Sequence, residues 1–269
     1  MLRQRVFTVI IGLPFLIAIL WFGEPWFTLL IAAMAMISSL EFYRMASHSK
    51  IQPLTYFGIA WALLLVLSPH CPNTTTTPFL ITSAIVISLT WLLFRSPKGQ
   101  AFNSWAWTIA GILYIGWMLS YWVDLRNLEA GREWVLCGML TNFANDTGAF
   151  FIGRAWAKHP LASTISPSKT WEGAVGGLLA AIAASLILNA FFSWLNYPLP
   201  LNYWQMALLG GVISIFAQLG DLVESLLKRN TGSKDSGKLL PGHGGILDRI
   251  DSIIFTGVVV YYYVIFAIL

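Results

Sequence analysis

The sequence predicts an all-α polytopic transmembrane helix bundle with about nine spans, a cytoplasmic N-terminus and a C-terminus on the outer side. Of its 269 residues, 57% are hydrophobic and only 10% are charged, whereas soluble domains carry roughly 25% charged residues. Apolar runs approach the ~20 residues that a bilayer core about 30 Å thick requires. Basic residues also segregate to one side of these runs. A single integral membrane domain over residues 1–269 is therefore predicted.

Nine apolar segments are the predicted spans, and most are apolar all round, which excludes an ordinary soluble bundle. The first follows two arginines and resembles a signal peptide, but it lacks a small-residue cleavage pattern and is predicted to be retained. Gly173 and Gly177 form a GxxxG pair on the seventh span, and Gly210–Gly211 lie on the eighth; close helix packing is the predicted use of both. The spans are residues 6–22, 26–40, 54–68, 79–94, 105–125, 134–153, 173–195, 204–227 and 250–269.

Fourteen of the sixteen Lys and Arg residues fall on one side of these nine spans, and only Arg126 and Arg132 fall on the other. Because cytoplasmic loops carry such an excess, this side is predicted to face the cytoplasm, in the cell inner (plasma) membrane. The positive charge thus indicates topology, and no nucleic acid partner is predicted. The fourteen are Arg3, Arg5, Arg44, Lys50, Arg95, Lys98, Arg154, Lys158, Lys169, Lys228, Arg229, Lys234, Lys238 and Arg249.

Polar residues divide the chain into scaffold helices at 1–125 and catalytic helices with cytoplasmic loops at 134–269. A charge inside a span costs at least ~2.5 kcal/mol on insertion scales, and the first five spans contain almost none. In the last four spans, acids and amides recur every three or four residues and hence share a helix face. They are Asn142, Asn145 and Asp146 in the sixth span, Gln218, Asp221, Glu224 and Lys228 in and just after the eighth, and Asp248 and Asp251 around the start of the ninth.

The loops 154–172 and 228–251 combine Lys and Arg with Ser, Thr and Gly, which are groups that bind phosphate oxygens. Nearby carboxylates would repel a polyanion unless a divalent cation lay between, and Mg²⁺ binds one or two carboxylates plus substrate phosphates. The pattern indicates metal-assisted phosphoryl or nucleotidyl transfer. The alternative is an ion-coupled membrane transporter that uses intramembrane carboxylates, for which Asn142 and Asp146 are the best support.

Two stretches of the C-terminal half carry long motifs of polar, Gly and Pro positions. One reads Ser225-x-x-Lys228-Arg229, then Lys234-Asp235, then Pro241-x-His243-Gly244-Gly245-x-x-Asp248-Arg249-x-Asp251. The other comprises Asn145-Asp146 and Ser166-Pro167-x-Lys169-Thr170-Trp171-Glu172-Gly173. Both resemble the phosphatidate cytidylyltransferase (CDP-diacylglycerol synthase) family, and the first is too long to match by chance. The first five spans carry no motif.

The resemblance implies a Mg²⁺-dependent reaction of CTP with phosphatidic acid that gives CDP-diacylglycerol and pyrophosphate in phospholipid biosynthesis. The lipid phosphate would attack CTP directly, so no protein nucleophile is expected, and positioning and charge neutralisation would supply most of the catalysis. CDP-alcohol phosphotransferases are excluded because no Asp-Gly dipeptide occurs, and a P-loop kinase because Gly237-Lys238 is followed by Leu239. A homodimer is left open.

Asp221 and Asp248 flank the first motif and are the predicted Mg²⁺ ligands, with Asp251 as a third. Gly244 and Gly245 are predicted to form a turn whose N–H groups face anionic oxygens at the start of the last helix. His243 is expected to orient a phosphate or to donate a proton to the leaving pyrophosphate; the first role is favoured, since pyrophosphate held by Mg²⁺ needs little acid help. The predicted catalytic residues are Asp221, Asp248, Lys169, Arg229, Lys234, Asp235 and His243, and the predicted substrate-binding residues are Ser166, Glu172, Lys228, Lys238, Gly244, Gly245, Arg249, Asn142, Asn145 and Asp146.

Overall fold

The structure is a computed structural model that describes residues 18–95, 101–237 and 244–268. The described residues are mainly helical, with one two-stranded antiparallel hairpin among them. The chain forms two compact units, one made of Met1–Val123 with Lys228–Arg249 and the other of Asp124–Leu227 with Ile250–Leu269. Most of the first motif therefore belongs to the same unit as the first five predicted spans.

The helices and strands follow one another in a simple order. A helical segment over residues 18–22 comes first. The helices after it are α1 (Trp26–His48), α2 (Thr55–Leu67), a 3₁₀ turn (Ser68–His70), α3 (Thr76–Arg95), α4 (Ala101–Gly111), a π-helical turn (Ile112–Trp117), α5 (Met118–Asn127) and α6 (Gly131–Trp156). The remaining elements are β1 (Pro160–Ala162), β2 (Ser166–Thr170), α7 (Trp171–Trp194), α8 (Tyr203–Asn230) and α9 (Leu247–Ile268).

In the first unit, α1 packs against α2, α4 and the π-helical turn. Tyr43 of α1 is fully buried, and its hydroxyl donates to the carbonyl of Thr108 at 2.9 Å. Gly58 and Gly111 make room for this ring, because a Cβ on either would overlap it. A buried phenol with a hydrogen-bonded hydroxyl thus joins these helices.

Helix α3 has little packing within the first unit. Only 11% of its apolar window is buried inside the protein. Two indoles link it to its neighbours: Trp61 Nε1 of α2 donates to the carbonyl of Leu80 at 3.1 Å and to the hydroxyl of Ser83 at 3.2 Å. Trp105 Nε1 of α4 donates to the hydroxyl of Ser88 at 3.0 Å. These indole contacts and a small apolar cluster around Ala84, with Leu65 and Ile109, attach one face of this helix.

In the second unit, glycines bring α7 against α6 and α8. A Cβ on Gly177 of α7 would lie 2.7 Å from Asn145 Oδ1 of α6, and one on Gly173 would lie 3.0 Å from a carbonyl oxygen of that helix. Gly210 of α8 faces α7 in the same way. The predicted packing role is therefore confirmed for these three glycines. Gly211 also faces α7, but a Cβ there would meet the nearest side-chain atoms at 3.9 Å, so this contact does not require glycine.

Among the described residues, six helices are long and apolar enough to cross a membrane. They match six of the nine predicted spans, and they confirm a multi-pass membrane protein. Of the other three, the first lies largely outside the described residues, and the third is the 13-residue helix α2 with its 3₁₀ turn. The sixth, α6, is long enough, but Asn142, Asn145 and Asp146 lower its apolarity. The count of nine and the sides of the termini stay predictions.

Candidate active site

A cavity of about 560 Å³ lies in the second unit among α6, the hairpin, α7 and α8. Carboxylates, cations, hydroxyls and two side-chain amides line it together, although the surrounding helices are strongly apolar. Such a mixed lining suits a phosphorylated ligand, because cations and hydroxyls bind its oxygens while carboxylates hold a metal or a proton. Its polar lining includes Asp146, Arg154, Ser166, Lys169, Gln218 and Asp221.

A salt bridge between Lys169 and Asp221 lies at this cavity. Lys169 Nζ of β2 is 2.7 Å from Asp221 Oδ2 of α8, and the two side chains are 21% and 42% exposed. The sequence predicted a phosphate-binding cation and a metal ligand at these positions, and the structure places them in direct contact. Both side chains line the cavity and are partly exposed, although Lys169 Nζ itself is buried against Asp221.

The hairpin that carries Lys169 was predicted as a loop without regular structure. Its strands pair antiparallel, with Pro160 opposite Thr170. Thr170 also caps α7, since its hydroxyl accepts the N–H of Gly173 at 3.1 Å. Glu172 Oε1 lies 2.6 Å from Nδ1 of the His159 ring, and Glu172 Oε2 accepts the backbone N–H of His159 at 3.3 Å. The predicted substrate-binding residue Glu172 thus closes the base of the hairpin that presents Lys169.

An amide network orients the second carboxylate of the cavity. Asn145 is 1% exposed, and its Nδ2 donates to Asp146 Oδ1 at 3.0 Å. Its Oδ1 accepts the hydroxyl of Ser214 at 2.7 Å and the amide of Gln218 at 3.3 Å. Asn145 of α6 is thus anchored by two side chains of α8 and orients the neighbouring Asp146. The sequence pattern pointed to Gln218 but not to Ser214, whose hydroxyl has no distinctive spacing.

Asn142 and Asp251, also predicted site residues, are deeply buried in the second unit. Asn142 is 0% exposed; its Nδ2 donates to Ser252 Oγ at 3.0 Å, and its Oδ1 accepts from Thr256 Oγ1 at 2.9 Å. Asp251 Oδ1 accepts the N–H of Ser252 at 2.7 Å. Asn142 thus joins α6 to α9 with both of its amide groups.

Asp248 is the centre of a separate polar cluster in the first unit. Its side chain is 8% exposed, and its Oδ1 accepts Lys228 Nζ at 2.7 Å. Its Oδ2 accepts the N–H groups of Ser236 at 3.0 Å and of Gly245 at 2.8 Å. Gly244, at φ +82°, adopts the left-handed conformation that this turn needs. The N–H of Gly245 faces the Asp248 carboxylate, and binding of substrate oxygens by this segment stays a prediction.

Residues 231–246, called the motif loop from here on, join α8 to α9. Lys234 and Asp235 of the motif loop are exposed, as are Arg229 and Arg249 beside it. Lys238 and His243 lie outside the described residues. The sequence pattern missed Glu41 of α1, whose carboxylate accepts the N–H of Leu247 at 2.9 Å in this cluster.

The described residues include no group of three or more His, Cys, Asp or Glu that could hold a metal ion. Mg²⁺ needs only one or two protein carboxylates when substrate phosphates supply the other oxygens. Asp146 and Asp221 line one cavity. This donor set fits a Mg²⁺ ion that arrives with a phosphorylated substrate. A requirement for Mg²⁺ stays a prediction.

The fold and the cavity define a polytopic membrane protein with a site that combines carboxylates and basic side chains. The chain belongs to the cytidylyltransferase family, whose model matches residues 3–267. It is 33% identical to the phosphatidate cytidylyltransferase of Synechocystis, over 97% of this chain and 96% of the relative. The enzymes of that name from Staphylococcus haemolyticus and Bacillus subtilis are 35% and 32% identical, over 94% of this chain and 95% and 94% of their own lengths. The similarity thus extends to the half without motifs, and it favours an enzyme over a transporter.

Proposed function

We propose that this chain joins CTP to phosphatidate, giving CDP-diacylglycerol and pyrophosphate, at the cavity that contains Lys169 and Asp221. The reaction follows from membership of the cytidylyltransferase family over nearly the whole chain, with relatives named for that activity. The observation that carries the site is the 2.7 Å contact between Lys169 and Asp221 at the wall of a polar cavity.

This reaction needs neutralisation of the phosphate charges and does not need a protein nucleophile. A phosphate oxygen of phosphatidate bonds to the α-phosphorus of CTP, the bond from that phosphorus to the β-phosphate breaks, and pyrophosphate leaves. Lys169 and the hydroxyls of Ser166 and Thr170 would donate to phosphate oxygens, where negative charge changes most. Mg²⁺, when bound, would neutralise phosphate charge. Its proposed ligands are Asp221, Asp248 and Asp251 from the sequence, and Asp146 from the cavity.

The placement in the membrane is also part of the proposal. Nine spans, with the N-terminus in the cytoplasm and the C-terminus outside, would put the motif loop and the hairpin on the cytoplasmic side of the inner membrane, where CTP is found. Support comes from the fourteen-to-two distribution of basic residues. A homodimer is compatible with this arrangement.

Purified protein in detergent is expected to convert radiolabelled CTP to labelled CDP-diacylglycerol only when phosphatidate and Mg²⁺ are both present. Omitting phosphatidate should abolish the lipid product, and EDTA should abolish it reversibly, with recovery on adding excess Mg²⁺. Product that persists in EDTA would remove Mg²⁺ from the proposal, whereas no product under any condition would refute the enzyme function.

A cysteine replacing the exposed Asn230, in a variant without Cys71 and Cys137, is expected to resist membrane-impermeant thiol reagents in intact cells. It should react in inverted vesicles, because the end of α8 is proposed to face the cytoplasm. The exposed Cys71 provides a matched control, since a variant retaining only that cysteine should react in intact cells. Labelling with the opposite sidedness would reverse the proposed topology.

A further inference from the structure

Glu41 is a buried carboxylate of α1 that contacts the motif loop of its own unit. Only 5% of the residue is exposed. Its Oε2 accepts the N–H of Leu247 at 2.9 Å and the hydroxyl of Ser236 at 3.2 Å, and its Oε1 accepts the N–H of Ile246 at 3.1 Å. Burying an ionised carboxylate without hydrogen-bond donors costs free energy. The three donors around Glu41 offset that desolvation cost.

Two of the three donors lie at the start of α9. The first N–H groups of a helix have no partner within it. A cap usually comes from the residue just before the helix, but here Ile246 and Leu247 receive their acceptor from Glu41 on a distant helix. The negative charge also interacts favourably with the positive end of the α9 dipole. Glu41 therefore ties the start of α9 to α1.

Two glycines show how closely the motif loop surrounds this carboxylate. A Cβ on Gly237 would overlap Oε1 of Glu41, and a Cβ on Gly245 would overlap Oε2. The loop backbone approaches the carboxylate on both sides at a distance that only glycine permits. The contact is thus shaped by several residues and does not depend on one hydrogen bond.

The hydroxyl of Ser236 connects Glu41 to Asp248. Ser236 Oγ lies 3.2 Å from Glu41 Oε2 and 2.9 Å from Asp248 Oδ2. The N–H groups of Ser236 and Gly245 bond to Asp248 Oδ2 as well, at 3.0 and 2.8 Å. Every one of these Asp248 donors belongs to a residue beside the Glu41 carboxylate. Displacing Glu41 would therefore disturb the groups that set the position of the Asp248 carboxylate.

We infer that Glu41 is a positioning residue, which holds Ser236, Gly245 and the start of α9 so that Asp248 is fixed beside Lys228. The inference rests on the proposed function, in which Asp248 takes part in the reaction. Glu41 acts through these neighbours and does not itself contact substrate. Helix α1, which lies in the part of the chain predicted to be scaffold, would thus contribute to catalysis.

Glu41→Gln is expected to lower kcat about tenfold or more, with purification unchanged. The amide keeps the size of the carboxylate, but one of its two oxygens is replaced by an NH₂ group. At least one N–H or hydroxyl donor that Glu41 now satisfies would therefore lose its acceptor. Glu41→Asp keeps the charge on a side chain shorter by one methylene, so its kcat should be intermediate. The exposed Glu129→Gln is the control and should stay within about twofold of wild type.

Trypsin provides a readout that does not depend on activity. Lys234 lies exposed in the motif loop, and cleavage there reports how firmly the loop is held. Glu41→Gln should be cut faster at Lys234 than the wild type, while cleavage elsewhere and the elution volume in detergent stay the same. A general loss of stability would instead raise cleavage throughout the chain.

Gly237→Ala tests the same contact without removing the carboxylate. It replaces Glu41→Gln as the test if that variant cannot be purified. Its added methyl group would press on Glu41, so kcat should fall and cleavage at Lys234 should rise. Gly211→Ala is the matched control, because its Cβ would be no closer than 3.9 Å to other atoms.

Two results would separate the inference from the proposed function. Wild-type kcat and wild-type protection of Lys234 in both Glu41→Gln and Gly237→Ala would overturn the role of Glu41 and leave the proposed function intact. A wild-type protein that makes no CDP-diacylglycerol would refute the proposed function instead. In that case, unchanged trypsin cleavage in the variants would also overturn the contact itself.

Discussion

Asp221→Asn is expected to lower turnover about a thousandfold, which corresponds to about 4 kcal/mol of lost transition-state stabilisation. The substitution keeps the shape of the side chain and removes the charge that faces Lys169 across 2.7 Å in the cavity. Without that charge, a divalent cation and the phosphates it neutralises lose a ligand. Asp248→Asn should cause a loss of the same order, because Asp248 is also a proposed ligand and is held by four donors of its cluster.

The measurement is CDP-diacylglycerol formation by purified variants over a range of Mg²⁺ concentrations, with the exposed Glu129→Gln as the control. Partial recovery of the Asp variants at high Mg²⁺ would agree with a ligand role. A double variant with Lys169→Ala distinguishes a ligand from a simple partner of the lysine. If Asp221 only holds Lys169, both single variants and the double variant will lose the same activity. Near-normal turnover in Asp221→Asn would remove it from the site.

Lys169→Ala is expected to lower kcat/KM by about 10- to 150-fold, the effect of losing a charge-assisted contact worth about 1.5–3 kcal/mol. Its side chain lines the cavity and is 21% exposed, while Nζ itself is buried against Asp221; we expect the ammonium to donate to a phosphate oxygen when substrate binds. Lys158→Ala is the matched control, since Lys158 precedes the same hairpin and its side chain is exposed. Equal activity of the two variants would exclude Lys169 from substrate binding.

Varying CTP and phosphatidate separately would show which substrate Lys169 serves. A rise in the KM for CTP alone would place the nucleotide phosphates beside the hairpin. Arg229 offers a second comparison, because Lys in its place keeps the charge but not the planar fork of donors. Arg229→Lys should recover only part of the activity lost in Arg229→Ala if that fork binds a phosphate by two bonds.

The family and most of the spans were predictable because their signals are local in sequence. The motif over residues 225–251 has fixed spacings, and an apolar run of bilayer length is visible without a partner. Helix α6 was recognised as unusual for the same reason, since Asn142, Asn145 and Asp146 recur on one face. These local patterns also identified Lys169 and Asp221, which the structure brings into contact.

What could not be predicted depends on contacts between distant segments. Glu41 lies one residue beyond the predicted second span. A single carboxylate at such a position is ordinarily interpreted as a water-exposed residue at the end of a helix. Nothing near it in sequence indicates that residues 236, 246 and 247 lie against it. The hairpin was missed because its strands are only 3 and 5 residues long and contain Pro, Ser and Lys rather than alternating apolar side chains.

The sparse packing of α3 has a consequence for how the protein responds to its lipid. Between helices surrounded by acyl chains there is no hydrophobic driving force, because lipid is as apolar as leucine. One face of α3 packs in a small apolar cluster around Ala84 and accepts the indoles of Trp61 and Trp105, and most of its remaining surface is exposed on the protein. A helix with so few neighbours adapts to a thinner or thicker bilayer by tilting. Of the six candidate spans described here, α3 has the smallest buried share, so we expect its tilt to change with membrane thickness at the least cost to protein packing.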